Sequence, residues 1–310
     1  MLNDFPSLKI PPTLLLTQLP LLQQRFYSVS SSPKFHPGEV HLTIAIAKYI
    51  KPNGVIHHGI CSTWLQTCPV GEQVPCVMRA APNFHMPEDG TRPIIMVGPG
   101  SGIAPFRSFW QQRKIDKEML AVPRRKFHDP YGEKKGWGSM TIYFGCRDRN
   151  IDNIYESELK QYQEEDVLQD VYFGFSREPG KKKAVHIYRS NRSRLLSVPV
   201  FSYLSIYLSI YLSIYLSIYH FVYIHRPELT YVQHLLKKNS KAVCDAIVRE
   251  GGHFYVCGDV QMASDVSDTV EMILKEDAPM SSEEAKNYVL KLRVCINVFL
   301  SFEFCKSFQG

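Results

Sequence analysis

A chain of 310 residues is long enough for two folded units, and 45% hydrophobic with 21% charged residues suits a globular protein. A formal net charge of +6 permits phosphate-bearing ligands. It does not argue for nucleic acid, because no long Lys/Arg stripe accompanies it, and no nucleic-acid partner is expected.

The chain opens on MLNDFPSLKIPP, with an acid where a signal peptide needs a base and with early prolines. No secretory signal is evident, and a cytoplasmic location is expected. Residues 1–90 read as short strands, QQRFYSVSSS, EVHLTIAIAKY and EQVPCVMRAAP, with Pro, Gly and Asn turns between them. HHGICSTWLQ reads as a loop entering a helix. A polar, turn-rich boundary follows near residues 84–92, at FHMPEDGTRP.

Beyond it the pattern alternates. PIIMVG is a short apolar run, as buried parallel strands are, and PGSGIAPFRSFWQQRK is a Gly/Pro loop opening a helix. MTIYFG, DVYFGFS and GHFYVCG predict further strands. YESELKQYQ, YVQHLLKKNSKAVCDAIVRE and QMASDVSDTVEMILK predict helices. SSEEAKNYVLKLR predicts one more, with Ser and Glu in capping-box positions. Alternating strand and helix predicts a doubly wound α/β domain with a parallel sheet.

Residues Tyr203–Tyr219 repeat Tyr-Leu-Ser-Ile four times and end on another Tyr. Three readings compete. Leu195–Tyr219 carries no charge and is long enough to span a bilayer, but its many Ser and Tyr give little hydrophobic drive. A four-residue unit is too short for a structural repeat, whose units run about 20–50 residues. The third reading is genetic. The codons TAT-CTA-TCT-ATC are the tetranucleotide TATC repeated, and they return to frame after four codons. A translated microsatellite therefore gives this period without selection on the protein, and this reading is preferred.

The eight cysteines, at positions 61, 68, 76, 146, 244, 257, 295 and 305, show no CxxC pair and no zinc-like spacing. They read as reduced thiols, and no metal is expected. The Gly98–Arg107 loop, GPGSGIAPFR, offers close backbone approach and free N–H groups to a pyrophosphate. It is not the GxGxxG fingerprint, so alone it is a weak signal.

RFYS, GICSTWL, GPGSGIAPFRSFWQQR, YFGCR, SREP, TYVQ and YVCGD together carry a specific resemblance. In order and spacing they resemble the flavin- and NADPH-binding end of the diflavin reductases. IHHGICSTWL, AAPNFHMP and APFRSFWQQR are similar to the nitric oxide synthases rather than to cytochrome P450 reductase. The resemblance covers nearly all of residues 5–183 and 230–293.

It implies FAD and NADPH as cofactors, on an antiparallel FAD-binding β-barrel followed by an NADP-binding α/β domain. Arg25 would hold the FAD pyrophosphate, Tyr27 would stack on the flavin, and Ser28 would hydrogen-bond near the reacting flavin nitrogen. Thr43 and Ala45 match the next FAD-lining strand; Ile60, Cys61 and Ser62 match a second pyrophosphate loop. Gly98 and Ser101 belong to the NADPH pyrophosphate loop, with Ser where the family usually has Thr. Arg147, Ser176 and Arg177 would grip the 2′-phosphate. Tyr231 and Gln233 match adenosine-side contacts, and Cys257 and Asp265 match positions near the nicotinamide. Ser28 and Cys257 are the residues implied at the hydride-transfer centre. Each has a bland alternative, a strand aromatic or a surface Ser-Arg pair, which would win without the other motifs.

The departures are as informative. In the family, SREP runs within a few residues into Lys-x-Tyr-Val-Gln. Here SREPGKKK ends at Lys183 and TYVQ begins at Thr230. Deleting Ala184–Leu229 restores Lys-Thr-Tyr-Val-Gln and makes Lys183 the phosphate-binding Lys. Residues 184–229 therefore read as an unspliced intron, expected to enter and leave at a loop and to project outward. After Arg293 the chain departs again, and 294–310 reads as a non-family tail in place of an acidic group and a flavin-stacking aromatic.

The expected organisation is thus a partial barrel over 1–90, an α/β domain over 91–183 and 230–293, and two foreign segments. An incomplete barrel predicts weak flavin retention and an open sheet edge. FMN, haem and tetrahydrobiopterin would belong to parts of the parent protein outside this chain. So would the FMN domain, the haem oxygenase domain and the calmodulin-binding segment. No membrane partner is expected. The alternatives are a stand-alone NADPH–flavin reductase and a non-catalytic protein built around the repeat.

Overall fold

The computed structural model describes residues 7, 9–18, 22–81, 84–121, 136–176, 185–189, 231–292 and 300–302. Tyr203–Tyr219, Arg177 and Lys183 therefore lie outside the described residues.

The first part holds helix α1 (Pro12–Gln18), strands β1 (Arg25–Tyr27), β2 (Lys48–Ile50) and β3 (Ile56–His58), helix α2 (Ile60–Thr67) and strand β4 (Val77–Met78). α1 was not foreseen in a region read as strands; Pro12 occupies its first position, where a missing N–H costs nothing. β2 and β3 form an antiparallel pair, Lys48 opposite His58. Among the described residues these strands do not close into a barrel. The strands are also shorter than the apolar runs predict. EVHLTIAIAKY contributes only an isolated bridge, Val29 to Leu42, and the start of β2.

The second part begins with strand β5 (Ile94–Val97), a 3₁₀ turn at Gly100–Ile103, helix α3 (Ala104–Ala121) and strand β6 (Met140–Cys146). Next come helices α4 (Arg149–Asp152) and α5 (Glu156–Glu164), then strands β7 (Asp170–Phe175) and β8 (Val185–Arg189). Helices α6 (Val232–Lys238) and α7 (Ser240–Cys244) run into a π-helical turn, Asp245–Arg249. Strand β9 (His253–Val256), helices α8 (Val260–Asp277) and α9 (Ser282–Leu292) and strand β10 (Leu300–Phe302) complete the set. The predicted capping box is present on α9: the Ser281 N–H donates to Glu284 Oε2 at 2.8 Å, and the Glu284 N–H to Ser281 Oγ at 3.3 Å.

The main sheet has the order β8-β7-β6-β5-β9, and all its ladders are parallel except β7–β8. Alternate residues of β5, β6 and β7 feed opposite cores. Ile94, Met96, Ile142, Phe144 and Phe173 pack with Phe106, Phe109 and Trp110 of α3. Ile95, Val97, Tyr143 and Tyr172 pack with α6, α8 and α9 on the other face. A continuous apolar run is what a strand buried on both faces requires. The doubly wound α/β architecture stands.

Two pairings involve residues of the segments read as foreign. Val185–Arg189, at the start of the supposed insertion, runs antiparallel to β7 with Val185 opposite Gly174 and Arg189 opposite Asp170. The segment therefore does not wholly leave the fold: β7 offers an edge of unpaired N–H and C=O groups, and the chain returning after it can pair there. Leu300–Phe302, in the supposed foreign tail, lies between β1 and β4, with Leu300 opposite both Tyr27 and Met78. β1 is thereby paired on one side, and β1 and β4 are the edge strands of this three-stranded sheet.

Candidate functional site

β5 is the switch point of the sheet: the chain moves from it to β6 on one side and later returns to β9 on the other. Ligands of open α/β sheets bind at the carboxyl ends of the strands flanking such a point. The Gly98–Ile103 loop and Cys257 both lie there. Gly102 packs so closely that a Cβ would sit 2.1 Å from the Cys257 carbonyl oxygen, so only glycine fits between the two loops. Gly100 has φ +55°, and nothing lies within 4 Å of where its Cβ would be. Beside this open face Ser101 is exposed, at the approach to the 18-residue helix α3. The close backbone approach at Gly102, the open face at Gly100 and the helix start fit a dinucleotide pyrophosphate.

Across this loop lies the segment around β1. Tyr27 is half-buried against Cys61, on which Val29, Leu42, Leu65 and Val74 also pack. Burial, with a hydrogen bond to Cys61, holds its phenol well above the usual range. Ser28 shares a hydrogen bond with the Cys257 thiol. Burial pushes that thiol up to about 11, and the Ser28 hydrogen bond acts in the opposite direction. The structure thus joins the two residues that sequence placed at one centre. The buried Ser62 hydroxyl accepts from the Ala47 N–H at 3.1 Å and thereby ties the start of α2 to the chain entering β2. Ala45 and Ile60 are exposed.

Two residues on this side have partners of their own. Arg25 donates from Nη1 to the carbonyls of Gln23 at 2.9 Å and Gln24 at 3.3 Å, folding onto its own strand entrance. The Thr43 hydroxyl meets the Tyr155 hydroxyl at 2.6 Å.

On the far side, Gln233 Nε2 donates to Asp265 Oδ2 at 3.4 Å, which joins two more predicted residues. Gln233 Oε1 is buried and lacks a protein partner, a free acceptor consistent with a bound group. Tyr231 is half-exposed at the start of α6, next to His234. Arg147, at the end of β6, is exposed but held by Asp152, with Nε to Oδ2 at 2.7 Å. The Ser176 N–H donates to the Cys146 carbonyl at 3.0 Å, and its side chain lies at the end of β7, on the same sheet edge as Arg147.

Sequence reading missed Arg107, Tyr155 and Glu158. Arg107 Nε donates to both oxygens of Glu158, at 3.0 and 2.9 Å, and its Nη1 donates to the Ser30 carbonyl at 3.1 Å. Arg107 was visible inside GPGSGIAPFR, but nothing local pointed to its partners. A His36–Glu39–His41 trio also gathers possible metal ligands within 4.8 Å. The outer nitrogens argue against a metal. His41 Nδ1 faces the donor Nη1 of Arg107 at 3.3 Å, and His36 Nε2 faces Gln111 Nε2 at 3.4 Å. Gln111 Oε1 is taken by the Ser32 N–H at 3.0 Å, which fixes that amide. Both outer nitrogens must accept, so both inner ones carry protons toward Glu39, where ligation needs them bare.

Comparison with known proteins agrees with this geometry. Residues 1–64 match the family model described as FAD binding domain, and residues 96–194 match that described as Oxidoreductase NAD-binding domain. The class is thereby defined: a flavoprotein oxidoreductase with FAD and NADPH as its cofactors. The chain is 36% identical to inducible nitric oxide synthase of Gallus gallus over 94% of its own length and 21% of that protein. It is 36% identical to the Oryctolagus cuniculus protein over 96% of itself and 49% of that relative. The Rattus norvegicus protein matches at 36%, over 94% of this chain and 21% of the relative. The chain therefore spans between about a fifth and a half of these relatives and is similar to their reductase region. Among the described residues, no helix is long and apolar enough to cross a membrane.

Proposed function

We propose that this chain is the FAD- and NADPH-binding part of a nitric oxide synthase, accepting reducing equivalents from NADPH on the flavin. The observation that carries the reading is the Ser28–Cys257 hydrogen bond at the switch point of the sheet. The dinucleotide supplies a hydride and the flavin accepts it; the chain's own residues align the two.

Gly98, Gly100 and Ser101 form the pyrophosphate cradle, Tyr231 and Gln233 the adenosine side, and Asp265 the side of the nicotinamide ribose. Arg147 and Ser176, with Arg177 and Lys183 assigned from the motif alone, would bind the 2′-phosphate that distinguishes NADPH from NADH. Tyr27 and Ser28 with the Ile60–Ser62 turn take the flavin, and Arg25 takes its pyrophosphate once released from the Gln23 and Gln24 carbonyls. Thr43 and Ala45 complete that wall, with Thr43 contributing through its backbone because its hydroxyl is engaged. Cys257 stays a neutral thiol at physiological pH, so it can give a proton to a hydrogen bond and adds no charge beside the ring.

The strands of residues 1–90 would belong to an incomplete FAD-binding barrel, followed by the α/β domain over 91–183 and 230–293. In a longer protein, an FMN domain and a haem oxygenase domain would receive the electrons for nitric oxide synthesis from arginine. A calmodulin-binding segment there would be a further partner. Location in the cytoplasm accords with this role.

The test is Ser28→Ala and Cys257→Ser in the chain supplied with FAD. Each should slow flavin reduction by NADPH about tenfold or more while leaving NADPH affinity within about twofold, because each removes alignment rather than binding. Equal losses in affinity and rate would place both residues outside the transfer centre.

A further inference from the structure

We propose that Tyr155 is a positioning residue for hydride transfer, a latch that fixes the flavin-side segment against the helix rising from the NADPH loop. This rests on the function proposed above.

Tyr155 has φ 61° and ψ 16°, left-handed backbone that a bulky aromatic rarely adopts. Such a conformation persists only where the surroundings over-determine it, and it clusters where function needs it. Here the surroundings are specific. The Tyr155 hydroxyl meets Thr43 Oγ1 at 2.6 Å. Its ring lies 5.0 Å from the Arg107 guanidinium and edge-on to Trp110. Its carbonyl accepts the first helical N–H of α5, from Leu159, at 2.8 Å. Three residues on, Glu158 takes both Arg107 and the Trp110 indole N–H, the latter at 2.8 Å.

One residue therefore touches the chain that bears Thr43, the helix that starts at the pyrophosphate loop, and α5. The same helix grips the flavin-side chain a second time. Arg107 holds the Ser30 carbonyl, and Gln111 and Gln112 hold Ser32 at 3.0 and 2.9 Å. Ser30 is two residues from Ser28, and Ser30 and His41 are bonded to each other, N–H to carbonyl, at 2.8 Å. A shift of Thr43 relative to α3 therefore moves Ser28 relative to Cys257. Hydride transfer is sensitive to displacements of about 1 Å, and a left-handed Tyr aims its hydroxyl at Thr43 where a regular helix start would aim it elsewhere.

The experiment uses the full 310-residue chain with FAD and the variants Tyr155→Phe, Thr43→Val and their double. Tyr155→Phe keeps the ring and the backbone and removes only the hydroxyl. Two measurements are made: amide hydrogen exchange at Ser30, Ser32 and His41, and the rate of flavin reduction at saturating NADPH beside NADPH affinity. The latch predicts faster exchange at these amides and a rate lowered about tenfold with affinity unchanged. It also predicts a double variant no worse than either single one, because both remove one bond. Unchanged exchange overturns the latch, whatever the enzyme does. Faster exchange with an unchanged rate overturns the positioning role. A wild-type chain that never reduces flavin overturns the proposed function and the positioning role together, while the exchange data still decide the latch itself.

Discussion

The hydroxyl of Ser28, just after β1, hydrogen-bonds the thiol of Cys257, just after β9. No ladder connects those two strands, which belong to different sheets. The contact instead depends on the close seat of Gly102 against the Cys257 carbonyl and on the grip of α3 on Ser30 and Ser32. Packing of glycine against backbone sets how closely the two loops approach.

The Cys257 thiol gives a pH signature. Its folded value of about 11 lies above its ordinary value of 9.0, so the folded chain holds the proton more tightly than the unfolded chain. This stability is fully present below pH 9 and is lost as pH rises toward 11, by about 2–3 kcal/mol. Cys244, raised by burial, acts in the same direction. Thermal unfolding followed from pH 8 to 11 should show Cys257→Ala losing less than the wild type across that window. Parallel losses would mean that the thiol titrates as an exposed one.

Gly102→Ala places a methyl group against the Cys257 carbonyl, where backbone cannot give way cheaply. Overpacking of this kind costs about 1–3 kcal/mol. The melting temperature should fall by several degrees, and NADPH binding should weaken because the two loops part. A variant as stable as the wild type would show that the loops separate freely.

Removing Ala184–Leu229 should leave a cooperatively folding protein. The buried sheet residues Ile94, Met96, Ile142 and Phe173 belong to the remaining four strands, and β8 only lines the edge of β7. Mature transcripts should lack the corresponding codons, since the join restores Lys-Thr-Tyr-Val-Gln. Circular dichroism and thermal melts of the deletion test the first statement. Loss of cooperative unfolding would make β8 integral to the fold.

The doubly wound half was legible because its signals are local. PIIMVG and the VYFGF of β7 are apolar runs, as a strand covered on both faces requires, and PIIMVG is followed by a Gly/Pro loop that opens a helix. The strand identities of VHIYR and of Leu300–Phe302 were not legible, because pairing depends on an available edge rather than on local sequence. EVHLTIAIAKY failed for the converse reason: it alternates as a strand does, but pairs along little of its length. In the site, the residues of the loops after β5 and β9 could be read from motifs. Tyr155 could not, since Asn-Ile-Tyr carries no sign that its aromatic would take a left-handed conformation.

Arg147 is exposed and paired with Asp152, so Arg147→Ala should cost under about 1 kcal/mol of stability. Its effect should appear in cofactor choice. A charge-assisted contact to the 2′-phosphate contributes about 1.5–3 kcal/mol, so NADPH affinity should fall about ten- to a hundredfold in Arg147→Ala or Arg177→Ala. NADH affinity should stay nearly constant. Equal losses for both dinucleotides would remove these residues from the phosphate site.

The most direct test is anaerobic titration of the 310-residue chain, saturated with FAD, with NADPH and separately with NADH. The flavin absorbance should bleach with one equivalent of NADPH per flavin, at a rate at least about tenfold above that with NADH. Flavin that binds but stays oxidised with NADPH, or that is reduced equally by both dinucleotides, would contradict the assignment of the chain as an NADPH-to-FAD reductase unit.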